Sequence, residues 1–319
     1  MLVMFSCVEH VSAQYTTDFV LTDLDNESLT QSVQKTLSNL VSEINASFAE
    51  KRVPRISNMN IDAHTQASIL ALWENSSFRC DETEIVESVN HYGTEYEVRN
   101  IPFIFPDMEK DEQYHEIAVT FDARGALTSF HMSIGQNLYR QVFNSGEQVK
   151  EFRRKQMILD YVEQFRTSYN TKDMAFLNQV FSDDALIITG RVVKTAPKLK
   201  DSGPSIQIGS RIEYTKQSKR EYLKKLSRVF KNNKRINVEF DQIELFLHPT
   251  KDDWYGVRLH QGYTADLYKD EGWLFLVWDF TDEDSPTIHV RTWQPDKDPT
   301  TKKEISLDER FGFDDVKFD

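Results

Sequence analysis

Apolar residues recur along this chain at two spacings, and each spacing predicts one kind of element. Spacing of three to four residues predicts helices over about 28–52, 62–75, 146–170, 173–181 and 216–231. Alternation of apolar and polar residues predicts strands over 83–89, 95–105, 115–121, 126–134, 185–194, 236–247, 254–268, 272–280 and 286–294. Each half therefore runs helices first and strands afterwards, which is the order of an α+β fold.

This repeated order predicts two α+β units in tandem, because 319 residues are enough for two ordinary domains. The first unit is expected over 28–138 and the second over 146–295. A linker is predicted over about 139–148, where Asn144-Ser145-Gly146 interrupts the helical pattern. The remaining residues, 296–319, are expected to form an acidic tail. This tail is either flexible or a strap whose aromatic side chains dock onto a groove. The strap is favoured because a solvated tail seldom carries so many phenylalanines: Phe311, Phe313 and Phe318.

Composition and charge exclude several classes of protein. The chain is 39% hydrophobic and 28% charged, which is typical of a folded globular protein. Its net charge of −13 argues against a nucleic-acid-binding protein, and no apolar run is long enough to span a membrane. Residues 191–235 nevertheless carry a net charge of +11, so the rest of the chain carries −24. This basic segment is either a solvated surface or a surface for an anionic partner.

The N-terminus has features of an export signal. An apolar start is followed by Val11-Ser12-Ala13, which fits a small-residue cleavage pattern before Gln14. The sequence therefore predicts a signal segment over 1–13 and a secreted or periplasmic protein. Attachment through a lipid on Cys7 and a cytoplasmic location are the alternatives. After cleavage Cys80 would be the one remaining cysteine, which excludes an internal disulfide framework and favours a small core residue.

The segment from Phe152 to Gly190 carries a family resemblance. It contains a long amphipathic helix, the Asn170-Thr171-Lys172-Asp173 break, a short helix and the Phe181–Ala185 entry into a strand. This layout resembles the opening of a nuclear transport factor 2-like domain, the cone-shaped fold of SnoaL-like polyketide cyclases, ketosteroid isomerases, dehydratases and transport adaptors. The resemblance covers about 152–295, and the first half reads as a diverged cone-like repeat. It implies long helices on a curved antiparallel sheet, with a pocket between them.

In the enzymes of that family a pocket Asp or His acts as base, opposite a Tyr or a protonated Asp. No motif in this chain matches any of those catalytic sets residue by residue, so no catalytic residue is transferred. No dinucleotide, P-loop or nucleophile-elbow motif is present either. Cofactor and metal sites are not predicted, because His260 and His289 have no companion ligands at metal-binding spacing.

Alternation along the last three strands suggests a candidate ligand-binding face. It places most apolar residues on one side and the polar and aromatic ones on the other. Residues of this second side, together with two residues of the long helix, are the candidates: Phe165, Tyr169, Arg258, His260, Asp279, His289, Arg291 and Trp293. An Asp–His or Asp–Arg pair there could transfer a proton or hold an anion. The alternative is a structural ion pair between Asp279 and Arg291.

Two functions follow from these observations. The first is a non-catalytic, secreted or periplasmic binding protein whose partner is a small ligand, another protein or a second copy of the chain. The missing catalytic motif and the Trp- and Arg-rich face favour it. The alternative is a cyclase- or isomerase-like enzyme that acts on a small apolar substrate in the second unit. It requires the Asp279–His face to be enclosed beneath the Phe165/Tyr169 helix.

Overall fold

The structure is a computed structural model that describes residues 15–92, 94–108, 110, 113–144, 149, 151–194 and 210–316. The chain divides into two compact units, unit 1 over Met1–Gln136 and unit 2 over Asn137–Asp319. The predicted signal segment lies outside the described residues, and so do Gly146 and the loop over 195–209. No described helix has the length and apolar character needed to cross a membrane.

Unit 1 places two helices against a five-stranded sheet. Helix α1 spans Glu27–Glu50 and α2 spans Ala63–Asn75. The strands are β1 Asp18–Thr22, β2 Glu84–Tyr92, β3 Glu95–Ile104, β4 Tyr114–Asp122 and β5 Leu127–Met132. They lie in the order β1-β2-β3-β4-β5, with β1 parallel to β2 and the other pairs antiparallel.

Local signals in the sequence explain where the helices of unit 1 begin. The side chains of Asn26 and Asp62 accept hydrogen bonds from backbone amides of the first turns of α1 and α2, which satisfies donors that have no partner within the helix. The apolar stripe of α1 packs into the core through Val33, Leu37, Leu40 and Ile44. Side chains from α2, from the sheet and from the segments that adjoin them complete this core: Ile69, Leu72, Phe78, Val98, Phe103, Phe105, Ile117, Val119 and Phe121.

The described residues of unit 2 form four α-helices and a six-stranded sheet. The helices are α3 Gln136–Asn144, α4 Phe152–Asn170, α5 Met174–Val180 and α6 Lys219–Asn232. The strands are β6 Phe181–Lys194, β7 Ser210–Ser218, β8 Ile236–Leu247, β9 Trp254–Ala265, β10 Tyr268–Asp279 and β11 Thr287–Pro295. Their order is β7-β6-β11-β10-β9-β8, with β11 parallel to β6 and the other pairs antiparallel.

The α+β prediction is confirmed, and both units have long helices packed on a sheet. Three elements were not predicted. Strand β1 lies before the first predicted helix, and β7 follows the strand predicted over 185–194 and takes the first residues of the helix predicted over 216–231. Helix α3 occupies the first part of the segment predicted as a linker. The chain divides between Gln136 and Asn137, a few residues before that linker.

The C-terminal tail docks on the unit 2 sheet as a strap. Arg258 donates from Nε and Nη2 to the Phe311 carbonyl, each at 3.2 Å, and the Phe311 amide donates to Gln294 Oε1 at 3.0 Å. The Phe313 ring packs edge-on against Phe275, with ring centroids 5.3 Å apart. Of the two interpretations of the tail, the structure shows the strap for Phe311 and Phe313, while Phe318 lies outside the described residues.

Candidate functional site

A bulge in β11 decides which candidate residues share a face of the unit 2 sheet. Leu276 pairs with Arg291 and Val277 with Val290, but Trp278 pairs with Ile288, so His289 is an extra residue. Directly opposed residues of antiparallel strands point to the same face. Arg291 therefore lies on the face of Leu276.

The prediction that Arg291 and Trp293 share a face with Arg258, His260, Asp279 and His289 is wrong. Strict alternation along β11 ignores the bulge at His289, which exchanges the two faces beyond it. Arg291 and Trp293 lie on the inner face, which packs against α4 and α6, and Trp293 pairs with Leu274 there. The other four lie on the outer face, so no Asp279–Arg291 ion pair exists.

On the inner face, polar and aromatic side chains surround Arg291, and all of them are buried except the half-buried Tyr263. Its guanidinium lies over the ring of Tyr222 from α6, 5.1 Å from the ring centroid. The Tyr222 hydroxyl is 2.6 Å from the hydroxyl of Tyr169, which α4 contributes. Tyr263 of β9 is on the same face as Leu259 and lies opposite Asp270 of β10. We call Tyr169, Tyr222, Tyr263, Arg291 and Trp293 the inner cluster.

The inner cluster rests on an apolar layer. The ring of Phe165 packs edge-on against the rings of Tyr169 and Trp278, with centroid distances of 5.1 and 6.4 Å. Phe165, a predicted ligand-binding candidate, therefore supports the cluster from below as an apolar side chain. Gly272 leaves room for Trp293, because a Cβ at this glycine would lie 2.9 Å from the indole ring. The sheet thus admits a large aromatic side chain at the edge of the cluster.

Several donors of the inner cluster have no hydrogen-bond partner among the described residues. They are Nε and Nη1 of Arg291, Nε1 of Trp293 and the hydroxyl of Tyr263. Arg291 is only 5% exposed. A buried polar group without a partner costs roughly 1–3 kcal/mol, and more when it is charged, so nearly all such groups in proteins are paired. Two such donors on one buried guanidinium are therefore the unusual feature of this site.

The electrostatics of the cluster favour a cation surrounded by neutral hydroxyls. Burial acts to lower the pKa of Arg291, but Tyr222, Tyr169 and Asp270 outweigh it and raise this pKa above its ordinary value. Burial raises the pKa of Tyr169 and of Tyr263. At neutral pH the arginine is charged and both tyrosines are protonated. Burial also raises the pKa of Asp270, against the opposing effects of the Tyr268 hydroxyl and the Arg291 charge.

The outer-face candidates form separate local contacts. His260 Nδ1 is 2.9 Å from Asp241 Oδ1, and this hydrogen bond raises the pKa of His260 against the effect of burial. Arg258 holds the strap. His289 lies 3.4 Å from Asp184 and 3.6 Å from Asp279, and burial lowers its pKa despite both carboxylates.

The structure thus brings together Phe165, Tyr169, Arg291 and Trp293 from the predicted set and separates them from the rest. Sequence reasoning missed Tyr222, Tyr263 and Asp270 as site residues. Helical spacing does put Tyr222 on the buried side of α6, and strand alternation does put Tyr263 in line with Leu259. No signal in the sequence indicates that these residues meet Arg291, because the contact depends on how α6 packs against the sheet.

Solved structures match part of this chain at low identity. No protein-family profile matches the sequence, and no curated protein sequence matches it. Among solved structures, Bd1075 from Bdellovibrio bacteriovorus matches at 16% identity and a TM-score of 0.32, over 45% of this chain and 42% of that one. Naphthalene 1,2-dioxygenase with indole bound in its active site matches at 6% identity and a TM-score of 0.36, over 54% of this chain and 93% of that one.

An NTF2-like protein from Cytophaga hutchinsonii matches at 14% identity and a TM-score of 0.31, over 44% of this chain and 97% of that protein. That protein is nuclear transport factor 2-like, which is the family that the sequence analysis named for residues 152–295. The chain spans less than half of Bd1075. At these identities and TM-scores the matches say nothing about activity.

Proposed function

We propose that unit 2 is a non-catalytic binding module that holds a small molecule with a carboxylate or similar anionic group at the inner cluster. The observation that supports this proposal is the buried Arg291 guanidinium, with two nitrogen donors, Nε and Nη1, that have no partner among the described residues. An anionic group there would accept hydrogen bonds from a charged donor, and such charge-assisted bonds are about twice as strong as neutral ones.

Asp270 is the competing explanation for Arg291, since its negative charge acts on the guanidinium. That carboxylate, however, accepts a hydrogen bond of 2.6 Å from the Tyr268 hydroxyl, and it leaves Nε and Nη1 of Arg291 without partners. The aromatic side chains of the cluster would contact an apolar or aromatic body attached to the anionic group. We therefore expect an amphipathic ligand with its charge towards Arg291.

A second candidate function, a cyclase- or isomerase-like enzyme, rests on Asp270. A carboxyl whose pKa burial raises is suited to accept a proton, and the hydroxyl pair of Tyr169 and Tyr222 could donate to a carbonyl oxygen. The acid–base groups predicted from sequence, Asp279 with His260 or His289, lie on the outer face and do not take part. Turnover by wild-type protein that Asp270→Asn abolishes would favour this enzyme.

The binding proposal is tested with Arg291→Met, which removes the charge and keeps a side chain of similar length. Mass spectrometry of small molecules that co-purify with the native protein should find an organic acid in the wild type and lose it in the variant. Arg228→Met, which removes an exposed arginine of α6, should retain it. Equal ligand content in both variants would contradict the proposal.

Stability of the same variant separates a binding role from a structural one. Removing this buried charge, two of whose nitrogens have no partner among the described residues, should leave the free energy of unfolding unchanged or raise it, because an apolar side chain suits this layer better. An Arg291 needed for structure would instead cost roughly 3–5 kcal/mol on substitution. Chemical denaturation of the ligand-free proteins measures the difference.

We also propose that the protein is exported, on the basis of Val11-Ser12-Ala13 and the apolar residues before it. N-terminal sequencing of protein from the native host should then begin at Gln14 or at its pyroglutamate form. A lipid on Cys7 would indicate the lipoprotein route. An intact N-terminus in a cytoplasmic fraction would reject export.

A further inference from the structure

The turn between β9 and β10 carries an apolar side chain at a position where a polar one is usual. This two-residue connection is Asp266-Leu267, and tight hairpin turns favour glycine, asparagine, aspartate and serine. The Leu267 side chain is 100% exposed and the adjacent Tyr268 is 57% exposed. A single exposed leucine needs no explanation, but its position at the vertex of a projecting turn makes it available for contact.

Positive charges surround this turn. The Asp266 carboxylate accepts hydrogen bonds from the backbone amides of Lys234 and Arg235, at 2.6 and 2.9 Å, which joins the end of α6 to the hairpin. The side chains of Lys234 and Arg235 are therefore exposed beside the turn, and the exposed Lys231 lies three residues before Lys234 in the chain.

A further lysine reinforces the same region. Lys172 Nζ donates to the carbonyls of Asn233 and Lys234, at 2.9 and 2.7 Å, and brings another cation to it. We call Lys172, Lys231, Lys234, Arg235 and Leu267 the basic tip.

The charge of the basic tip opposes that of the chain as a whole. A protein with a net charge of −13 is repelled by an anionic surface unless a local cluster of cations faces that surface. Lysines and arginines near an anionic bilayer each favour binding, and a projecting apolar side chain adds to it by entering the interface. The basic tip combines these two features, and all of its side chains are exposed except that of the half-buried Lys172.

We propose that the basic tip docks unit 2 on an anionic phospholipid bilayer, with Leu267 entering the headgroup region and the lysines and Arg235 contacting the phosphates. This surface uses no residue of the inner cluster, so the proposal stands or fails independently of ligand binding at Arg291. The tip and the inner cluster nevertheless lie on the same two strands. Tyr268, next to Leu267, donates a hydrogen bond to Asp270, and Asp270 lies opposite Tyr263 of the cluster.

Co-sedimentation with two kinds of vesicle tests the proposal. The full chain should bind vesicles of phosphatidylcholine mixed with phosphatidylglycerol and should not bind vesicles of phosphatidylcholine alone. Binding should weaken as salt is added, because the surface charges are then screened. Equal binding to both vesicles, or binding to neither, would overturn the proposal.

Two variants and one control locate the contact. Lys231→Glu with Lys234→Glu should weaken binding to the mixed vesicles on the order of tenfold or more. Leu267→Ser should weaken binding while leaving its salt dependence unchanged. Lys35→Glu with Lys303→Glu makes the same change in net charge at exposed positions elsewhere, and it should bind as the wild type does.

Thermal melts should be the same for all variants, because every substituted side chain is exposed. If the control pair loses as much binding as the tip pair, net charge and not the basic tip is responsible. Binding to heparin without binding to the mixed vesicles would assign the tip to a soluble polyanion and reject the bilayer.

Discussion

At Arg291 unit 2 keeps a positive charge inside an otherwise aromatic layer. Burial disfavours the charge, yet the neighbouring Tyr222 and Tyr169 and the carboxylate of Asp270 raise the pKa of the guanidinium. An arginine is suited to such a position because it stays charged under physiological conditions and presents several donors in one plane. The same burial that makes the unpaired donors costly would strengthen their hydrogen bonds to an anionic ligand.

His260 gives a pH-dependent prediction at the same scale. Its hydrogen bond with Asp241 raises its pKa in the folded protein, so the stability from this pair is fully present below the ordinary histidine pKa of about 6.5. That contribution should disappear as pH rises through the raised value. Asp241→Asn should lower the pKa of His260, as measured by NMR titration of its ring protons. An unchanged titration in the variant would show that Asp241 is not the cause.

At the scale of elements, spacing of apolar residues was sufficient for the long helices and for most strands. The stripe of α1 and the capping residue Asp62 of α2 are clear in the sequence. Strand β1 was missed because five residues with two buried positions give too short a pattern. The bulge at His289 was missed because no residue type marks it, and the error moved Arg291 to the wrong face.

The strap depends on one glycine of β9, and this dependence can be measured. A Cβ at Gly256 would lie 2.9 Å from the Phe313 ring and 2.9 Å from the Phe275 ring, closer than side chains pack. Gly256→Ala should therefore displace the strap and lower the free energy of unfolding by roughly 1–3 kcal/mol. Limited proteolysis should then remove the residues from Phe311 onward more readily.

Gly262 is the matched control for this prediction, because it lies in the same strand and a Cβ there would meet no atom within 4 Å. Gly262→Ala should leave the strap protected and stability equal or slightly higher, since glycine weakens a strand. Equal proteolysis of the two variants would mean that Phe313 does not need Gly256.

At the scale of the whole molecule, the order of elements predicted an α+β protein, but it did not predict the pairing of distant strands. β1 pairs with β2 across α1 and α2, and β11 returns to pair with β6. Both pairings are parallel and join segments far apart in sequence, so they depend on the packing of intervening helices. The inner cluster depends on the same long-range packing, since α4, α6, β9 and β11 each supply part of it.

The division of the chain gives a prediction about folding. Each unit has its own sheet and helices, so residues 137–319 should fold when expressed without unit 1. Limited proteolysis of the full chain should release a fragment that begins near Gly146 and contains α4. Circular dichroism of 137–319 should show a cooperative melt. Cleavage inside Phe165–Ile188, or a fragment without a cooperative transition, would contradict the division.

The positions of one thiol and five indoles provide separate reporters for the two units. Cys80 lies in the core of unit 1, where burial raises the pKa of its thiol to about 11 and keeps it unreactive. Four of the five tryptophans, Trp254, Trp273, Trp278 and Trp293, lie in unit 2. In a Cys7→Ser background, the rate of thiol labelling would report the opening of unit 1, while fluorescence would follow mainly the unfolding of unit 2. The order in which the units unfold can thus be measured with side chains that the protein already carries.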